Sequence, residues 1–216
     1  LETFDAFAAA DGRLGMHPGA HALRYRVGRI TGRQAVHALA RVWFNGVFYT
    51  RSLAGRRPQR LRFVPKETSP GDSERGGILM LGEFQFAGQA VREPAPIWRP
   101  SGVSGEWLAE MHGFGWLNDL RAVGGDAARQ KARALLGDWI STQTRWRAST
   151  WRPDVLANRV GNWLTAAEFI FAGYEGNLWP QFLDSLARQT RHLRRVERLV
   201  DPGVDRLVVL KGLSYA

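Results

Sequence analysis

The chain of 216 residues has no cysteine. That absence excludes disulfide frameworks, thiolate-held zinc, haem-thiolate sites and thiol nucleophiles, and it does not choose a compartment. Lysine is scarce too: of thirty Lys and Arg residues only Lys66, Lys131 and Lys211 are lysines. No apolar run reaches the roughly 18 residues of a membrane span. A P-loop, a GxGxxG between strand and helix, an HExxH and a GxSxG are all missing. The five histidines (17, 21, 37, 112 and 192) have no metal-ligand spacing and no acidic cluster beside them, so no metal and no cofactor is expected. The chain opens on Leu1 without a basic-then-apolar leader and stops at Tyr215-Ala216 inside a helical pattern, which reads as a fragment.

What is present is arginine, alanine, glycine and tryptophan. The net charge of +10 and pI near 11 suit a polyanionic partner, or reflect an Arg-rich composition from a GC-biased genome. With 44% hydrophobic residues and nine Trp, the chain can bury a sizeable core. Residues 1–31 are Gly-, Ala- and Arg-rich with weak periodicity, and a poorly ordered lead-in is expected there. Residues 32–104 form an N-terminal helix and a Pro-rich arm. In the helix (32–53), Val36, Leu39, Ala40, Trp43, Val47 and Phe48 share a stripe; packing of this stripe onto the domain is preferred over a membrane-surface or docking role. In the arm, Pro58, Pro65, Pro70, Pro94, Pro96 and Pro100 exclude long helices, and GILMLGEFQFAGQAV suits a small hairpin or extended strands.

From Ser104 the pattern is helical: about 105–122, 126–146, 153–172, 179–200 and 204–216, separated by Gly- and Pro-bearing breaks. Pro153 and Pro180 suit first-turn positions. Short turns between such helices imply antiparallel neighbours, giving an all-α fold of layered or toroidal helical hairpins over 105–216.

Three local patterns carry alternative readings. Arg188, Arg191, His192, Arg194, Arg195 and Arg198 make a basic helix, either an anion-binding surface or, the preferred reading, a solvated face opposite Phe182, Leu186, Leu193, Val196 and Val200. No nucleic-acid reading element accompanies it, so no nucleic acid is expected. In 153–172 the core stripe is Leu156, Val160, Trp163, Ala167, Ile170 and Phe171, while Arg159, Asn162 and Trp163 share one side. This trio either lines a glycan cleft, where Arg pairs with a uronate, Asn with hydroxyls and Trp with a sugar face, or ties neighbouring helix ends. In EWLAEMHGFGWLNDLRA, His112 and Trp116 share a face beside Gly113 and Gly115. The glycines either lower a wall beside a ligand or permit close packing around a satisfied buried histidine.

The order HGFGWLNDLRAVGGDAARQKARALLGDWI, then Trp151, Arg159 and Asn162-Trp163-Leu164, resembles the N-terminal helical domain of bacterial heparinase II/III-like proteins, whose pattern is W…R..NWL. GEFQFAG at 82–88 resembles the segment ahead of that domain, so the match covers roughly 60–216. The resemblance implies an incomplete (α/α) toroid of antiparallel helical hairpins, with an irregular N-terminal arm carrying short strands. In full-length members a β-sandwich-like domain follows. It further implies a polysaccharide lyase, periplasmic or in the cell envelope, cleaving acidic polysaccharide by β-elimination. Arg159, Asn162, Trp163, His112 and Trp116 would bind substrate. Val204 and Asp205 stand where catalytic members carry an Asn-His pair, so no catalytic residue transfers. Lyase activity would require residues past Ala216. The alternative is a non-catalytic acidic-glycan-binding or envelope-associated protein of the same fold.

Overall fold

A computed structural model describes residues 39–40, 42–44, 46–56, 58–65, 70–94, 96–143, 145–200 and 202–215. The chain divides into two units, 1–40 and 41–216, and the architecture below is that of the second. The lead-in expected over 1–31 and the start of the helix expected over 32–53 lie outside the described residues.

The described unit is mostly helical, with one two-stranded hairpin. Helix α1 (Val47–Ser52) is short. Gly46, in an extended conformation at its N-cap, resets the helical phase, so the stripe expected over 32–53 does not continue through it. Tyr49 and Leu53 are buried, whereas Trp43 and Phe48, expected in the core, are 60% and 77% exposed.

Helix α2 (Ser73–Met80) is capped by Asp72, whose carboxylate accepts from the backbone N–H groups of Glu74 and Arg75. The stretch GILM therefore completes a helix instead of forming a strand. Strands β1 (Glu83–Phe86) and β2 (Gln89–Arg92) follow, antiparallel, with Glu83 opposite Arg92 and Phe86 opposite Gln89. Both turn residues, Ala87 and Gly88, have positive φ, as a tight hairpin turn requires. Period-2 alternation puts Phe84 and Phe86 on one face, and both are buried.

The helical remainder comprises α3 (Gly105–Gly113), α4 (Leu117–Val123), α5 (Gly125–Thr142), α6 (Pro153–Phe171), α7 (Leu178–Val196), a 3₁₀ turn (Glu197–Leu199) and α8 (Val204–Tyr215). Ser104 caps α3 by accepting from the Trp107 N–H. Pro153 occupies the first turn of α6, where its missing N–H costs no intrahelical bond.

Helix α6 lies at the centre, packing against α3, α4, α5, α7 and α8. Its sequence explains that position. Beyond the stripe of Leu156, Val160, Trp163, Ala167 and Ile170, it buries Val155, Ala157, Leu164 and Ala166, so its apolar arc is wide and leaves one polar strip of Asp154, Asn158, Asn162 and Glu168. So wide an apolar arc needs neighbours packed on several sides. One side joins the main core of Trp107, Phe114, Trp116, Trp139 and Trp163; another joins a second cluster of Tyr49, Leu53, Trp151, Leu193 and Val209.

Helix α8 approaches α6 very closely at Gly212. A Cβ added there would stand 2.9 Å from the Cα, Cβ and O of Ala157, so only glycine permits this spacing.

Candidate functional site

The residues singled out in the sequence meet at the end of α3. The helix expected to run from 105 to 122 breaks here. Phe114 adopts a left-handed conformation (φ 62°), ending α3, and α4 starts anew at Leu117. The break inserts the Phe114 ring among Trp98, Trp116, Trp139 and Trp163, with centroid separations of 4.8 to 5.8 Å. Burial of a large ring, stacked on Trp98 and edge-to-face with Trp139 and Trp163, stabilises a backbone conformation that is unfavourable for a non-glycine residue.

A broken helix leaves its last carbonyls without intrahelical partners. In α3 three consecutive carbonyls are met by side chains. Trp116 Nε1–H donates to Met111 O at 3.0 Å, Arg159 Nη1 to His112 O at 3.0 Å, and Asn162 Nδ2 to Gly113 O at 2.8 Å. Gly113 and Gly115 face Asn158 and Asn162 of α6: an added Cβ would lie 3.8 Å from Asn158 Cβ and 3.9 Å from Asn162 Nδ2.

Arg159 is fully buried. Its Nε donates to Gln189 Oε1 at 2.6 Å and Nη1 donates also to Thr150 O at 2.9 Å, while the guanidinium lies 4.4 Å from the Trp139 ring centroid. Burial lowers its pKa to about 9, because a low-dielectric interior disfavours the cation. Carbonyl oxygens and an aromatic face compensate part of that penalty.

His112 is 1% exposed. Its Nδ1 accepts from Trp139 Nε1–H at 3.0 Å, and its ring also bonds the Trp98 backbone. Burial first, then the neighbouring Arg159 charge, lower its pKa to about 3. The imidazole is therefore neutral at physiological pH, with Nδ1 as acceptor.

His192 repeats this arrangement in the second cluster. Tyr49 Oη lies 2.5 Å from its Nδ1 and the Trp151 backbone bonds the ring, with burial again leading the shift to about 3. Nearby, Arg191 donates to Leu53 O and Arg56 O, each at 2.7 Å, and Arg195 to Ser52 O at 2.9 Å. Two arginines of the basic helix α7 thus hold the end of α1, which the reading of a purely solvated face missed. Only an alignment of Arg with free helix-end carbonyls could have signalled it.

The five sequence-selected residues therefore come together, but not as a cleft. His112, Trp116, Arg159 and Trp163 are all buried: hydrogen bonds of His112 and Arg159 tie α3, α5, α6 and α7 together, Trp116 caps Met111 O, and Trp163 contributes its ring to the aromatic core. Asn162 and an edge of the otherwise buried Trp116 border a groove of about 250 Å³ also bounded by Arg75, Glu110, Asp154 and Asn158. Of the two sequence readings for Arg159 and Asn162, helix tying matches the geometry. Val204 and Asp205 are exposed in the first turn of α8. Among the described residues, no group of three or more His, Cys, Asp or Glu side chains could hold a metal ion. Nor is any helix among them long and apolar enough to cross a membrane.

No family model matches the chain, and no solved structure matches it. FtsZ-localized protein C of Caulobacter vibrioides is 31% identical over 180 residues, covering 81% of this chain and 31% of that protein. The chain thus spans about a third of the length of the curated relative it matches. The relative is named for its localisation with FtsZ, and this overturns the expected polysaccharide lyase, along with the non-catalytic acidic-glycan-binding or envelope protein set beside it. The expected acidic polysaccharide partner and periplasmic or cell-envelope location fall with them.

Proposed function

We propose that this chain is a helical interaction module of an FtsZ-associated, cell-division-linked protein, acting by docking and not by catalysis. The observation that carries this reading is the 31% identity to FtsZ-localized protein C over 81% of the chain. The polar residues that looked catalytic or ligand-binding are spent inside on helix ends, which leaves the surface to interact. Around α1 that surface has a suitable character: Val42, Trp43 and Phe48 are 74%, 60% and 77% exposed. Arg51 extends from the same helix, and Arg195 contacts Tyr49 and Ser52 within it. Apolar side chains beside fixed cations suit a protein partner presenting apolar and acidic groups.

The W…R..NWL order supports a further, structural part of the proposal: α3 to α8 form an incomplete (α/α) toroid of the heparinase II/III-like type, used without that family's chemistry. A β-sandwich-like domain beyond this segment belongs to the same reading.

The test is imaging. The full-length protein, fluorescently tagged in its native host, is expected to co-localise with FtsZ and to disperse when FtsZ is depleted. A distribution indifferent to FtsZ depletion overturns the proposal.

A further inference from the structure

Gly113 and Gly115 line the groove between the end of α3 and α6, and nothing in the fold requires glycine at either position. Neither has a left-handed φ. A methyl group on Gly113 would sit 3.8 Å from Asn158 Cβ, and one on Gly115 3.9 Å from Asn162 Nδ2, which are ordinary van der Waals distances. Gly113 is the last residue of α3, where alanine would be the better helix former. What a side chain at either position would take up is the space of the groove itself. The glycines keep its 250 Å³ open.

The polar side chains of its walls are Arg75, Glu110, Asp154, Asn158 and Asn162. Two of the charges are already matched. Asp154 accepts from Arg152 Nε and Nη2 at 2.6 and 2.7 Å, and Arg75 lies 3.4 Å from Asp119. Asn162 uses Nδ2 on Gly113 O, which leaves its carbonyl oxygen uncommitted. The Gly115 carbonyl accepts from Asn118 N–H, and the Trp116 indole N–H is taken by Met111 O. Glu110 and Asn158 remain: both are exposed, and neither has a hydrogen-bond or ion-pair partner among the described residues. Asn158 and Asn162 stand one turn apart on α6, and Glu110 stands one turn before Gly113 on α3.

The groove thus offers one uncompensated carboxylate on the α3 wall and carboxamide oxygens on the α6 wall. Its floor is apolar, made by Phe86, Val155 and the edge of Trp116. These walls suit a cation with several donors fixed in one plane. A guanidinium meets that demand: it forms two parallel N–H bonds to a carboxylate, keeps further N–H groups for amide oxygens, and is more weakly hydrated than an ammonium. Cavities near 150 Å³ hold a molecule of about six heavy atoms, so 250 Å³ accommodates the guanidinium and its aliphatic stem. The net charge of +10 does not oppose this strongly, because exposed charges beyond about 8 Å are screened at physiological ionic strength. We propose that this groove binds a guanidinium group on an aliphatic stem, the chemistry of an arginine side chain, with Glu110 as counter-ion and Asn158 and Asn162 as acceptors opposite. The site is independent of the proposed docking role.

The test is a titration of the full chain followed in ¹H–¹⁵N spectra on the Gly113 and Gly115 amides and the Asn158 side-chain NH₂, assigned through Asn158→Ser. The probes are acetylarginine methylamide, its neutral isostere acetylcitrulline methylamide, ethylguanidinium and butylammonium. Acetylarginine methylamide is expected to shift these signals saturably with a Kd of roughly millimolar order, as its size allows. The citrulline probe should bind at least about tenfold more weakly, and butylammonium more weakly than either guanidinium. Tighter binding of acetylarginine methylamide than of ethylguanidinium assigns an arginine within a peptide; equal binding assigns a free guanidinium compound, and both uphold the site. Glu110→Gln, at an exposed and unpaired position, should weaken acetylarginine methylamide at least about tenfold with an unchanged melting midpoint. Gly113→Ala should weaken it at least about fivefold while holding or raising that midpoint. Signals unmoved by both guanidinium probes mean a groove filled by water alone and overturn the proposal. So do binding of citrulline or butylammonium as tight as that of arginine, indifference to Glu110→Gln, and a midpoint lowered by Gly113→Ala, which would make the glycine a packing requirement.

Discussion

The Asn162 side chain donates to the Gly113 carbonyl at 2.8 Å, linking the middle of α6 to the last residue of α3. With Arg159 one turn earlier on His112 O, it makes α6 the C-terminal cap of another helix. Asparagine has poor intrinsic propensity for a helix interior, and this bond accounts for its presence there.

Replacing Asn162 by leucine removes that donor and leaves a helix-end carbonyl without its side-chain partner. The expected loss is about 1–2 kcal/mol, read as a lower midpoint in urea unfolding with an unchanged m-value. An unaltered midpoint would show that solvent in the adjoining groove caps Gly113 equally well.

Arg159→Lys keeps a cation but cannot reproduce a planar fork that reaches Gln189, His112 O and Thr150 O together. Destabilisation of at least ~3 kcal/mol is expected, since several buried acceptors lose their donor. Arg159→Met should be tolerated no worse than the lysine variant, because it removes the buried charge. Differential scanning calorimetry of the two variants distinguishes these outcomes.

Gly212→Ala inserts a methyl group against the Ala157 backbone. Helix α8 must then move away from α6 at a cost of about 1–3 kcal/mol. Hydrogen exchange should report it as faster exchange in α8, with α3 to α5 little changed.

Acidification should destabilise the fold. His112 and His192 both have folded pKa values lowered to about 3, against an ordinary value near 6.5. Between those limits the unfolded chain binds more protons than the folded one. Stability contributed by the neutral imidazoles is therefore full above about pH 6.5 and falls progressively toward pH 3. Thermal melts at pH 7.5, 5.5 and 4.5 should show a descending midpoint, and Tyr49→Phe should lower the whole series by removing the His192 partner.

Much of the helical body could be read from periodicity and punctuation. The stripe Leu156, Val160, Trp163, Ala167 and Ile170 is buried, and Pro153 opens its helix. The break at Phe114 was not legible, because a left-handed phenylalanine is unfavourable locally and survives only through the aromatic cage around it. The site was legible in membership and misread in meaning. His112, Trp116, Arg159, Asn162 and Trp163 do converge, yet helical spacing says which residues share a face and not whether that face meets solvent or another helix.

What the sequence determined by itself is the helical character of most of 105–215 and the apolar stripe of α6, since both follow from local periodicity and burial tendency. Tertiary structure decided the use of the polar groups. Only with α3 broken and laid across α6 do Arg159 and Asn162 find carbonyls to cap, and only then do Glu110 and Asn158 border one groove. Hydrogen-bond demand at a helix end is a property of where the chain stops turning, and that was settled by packing.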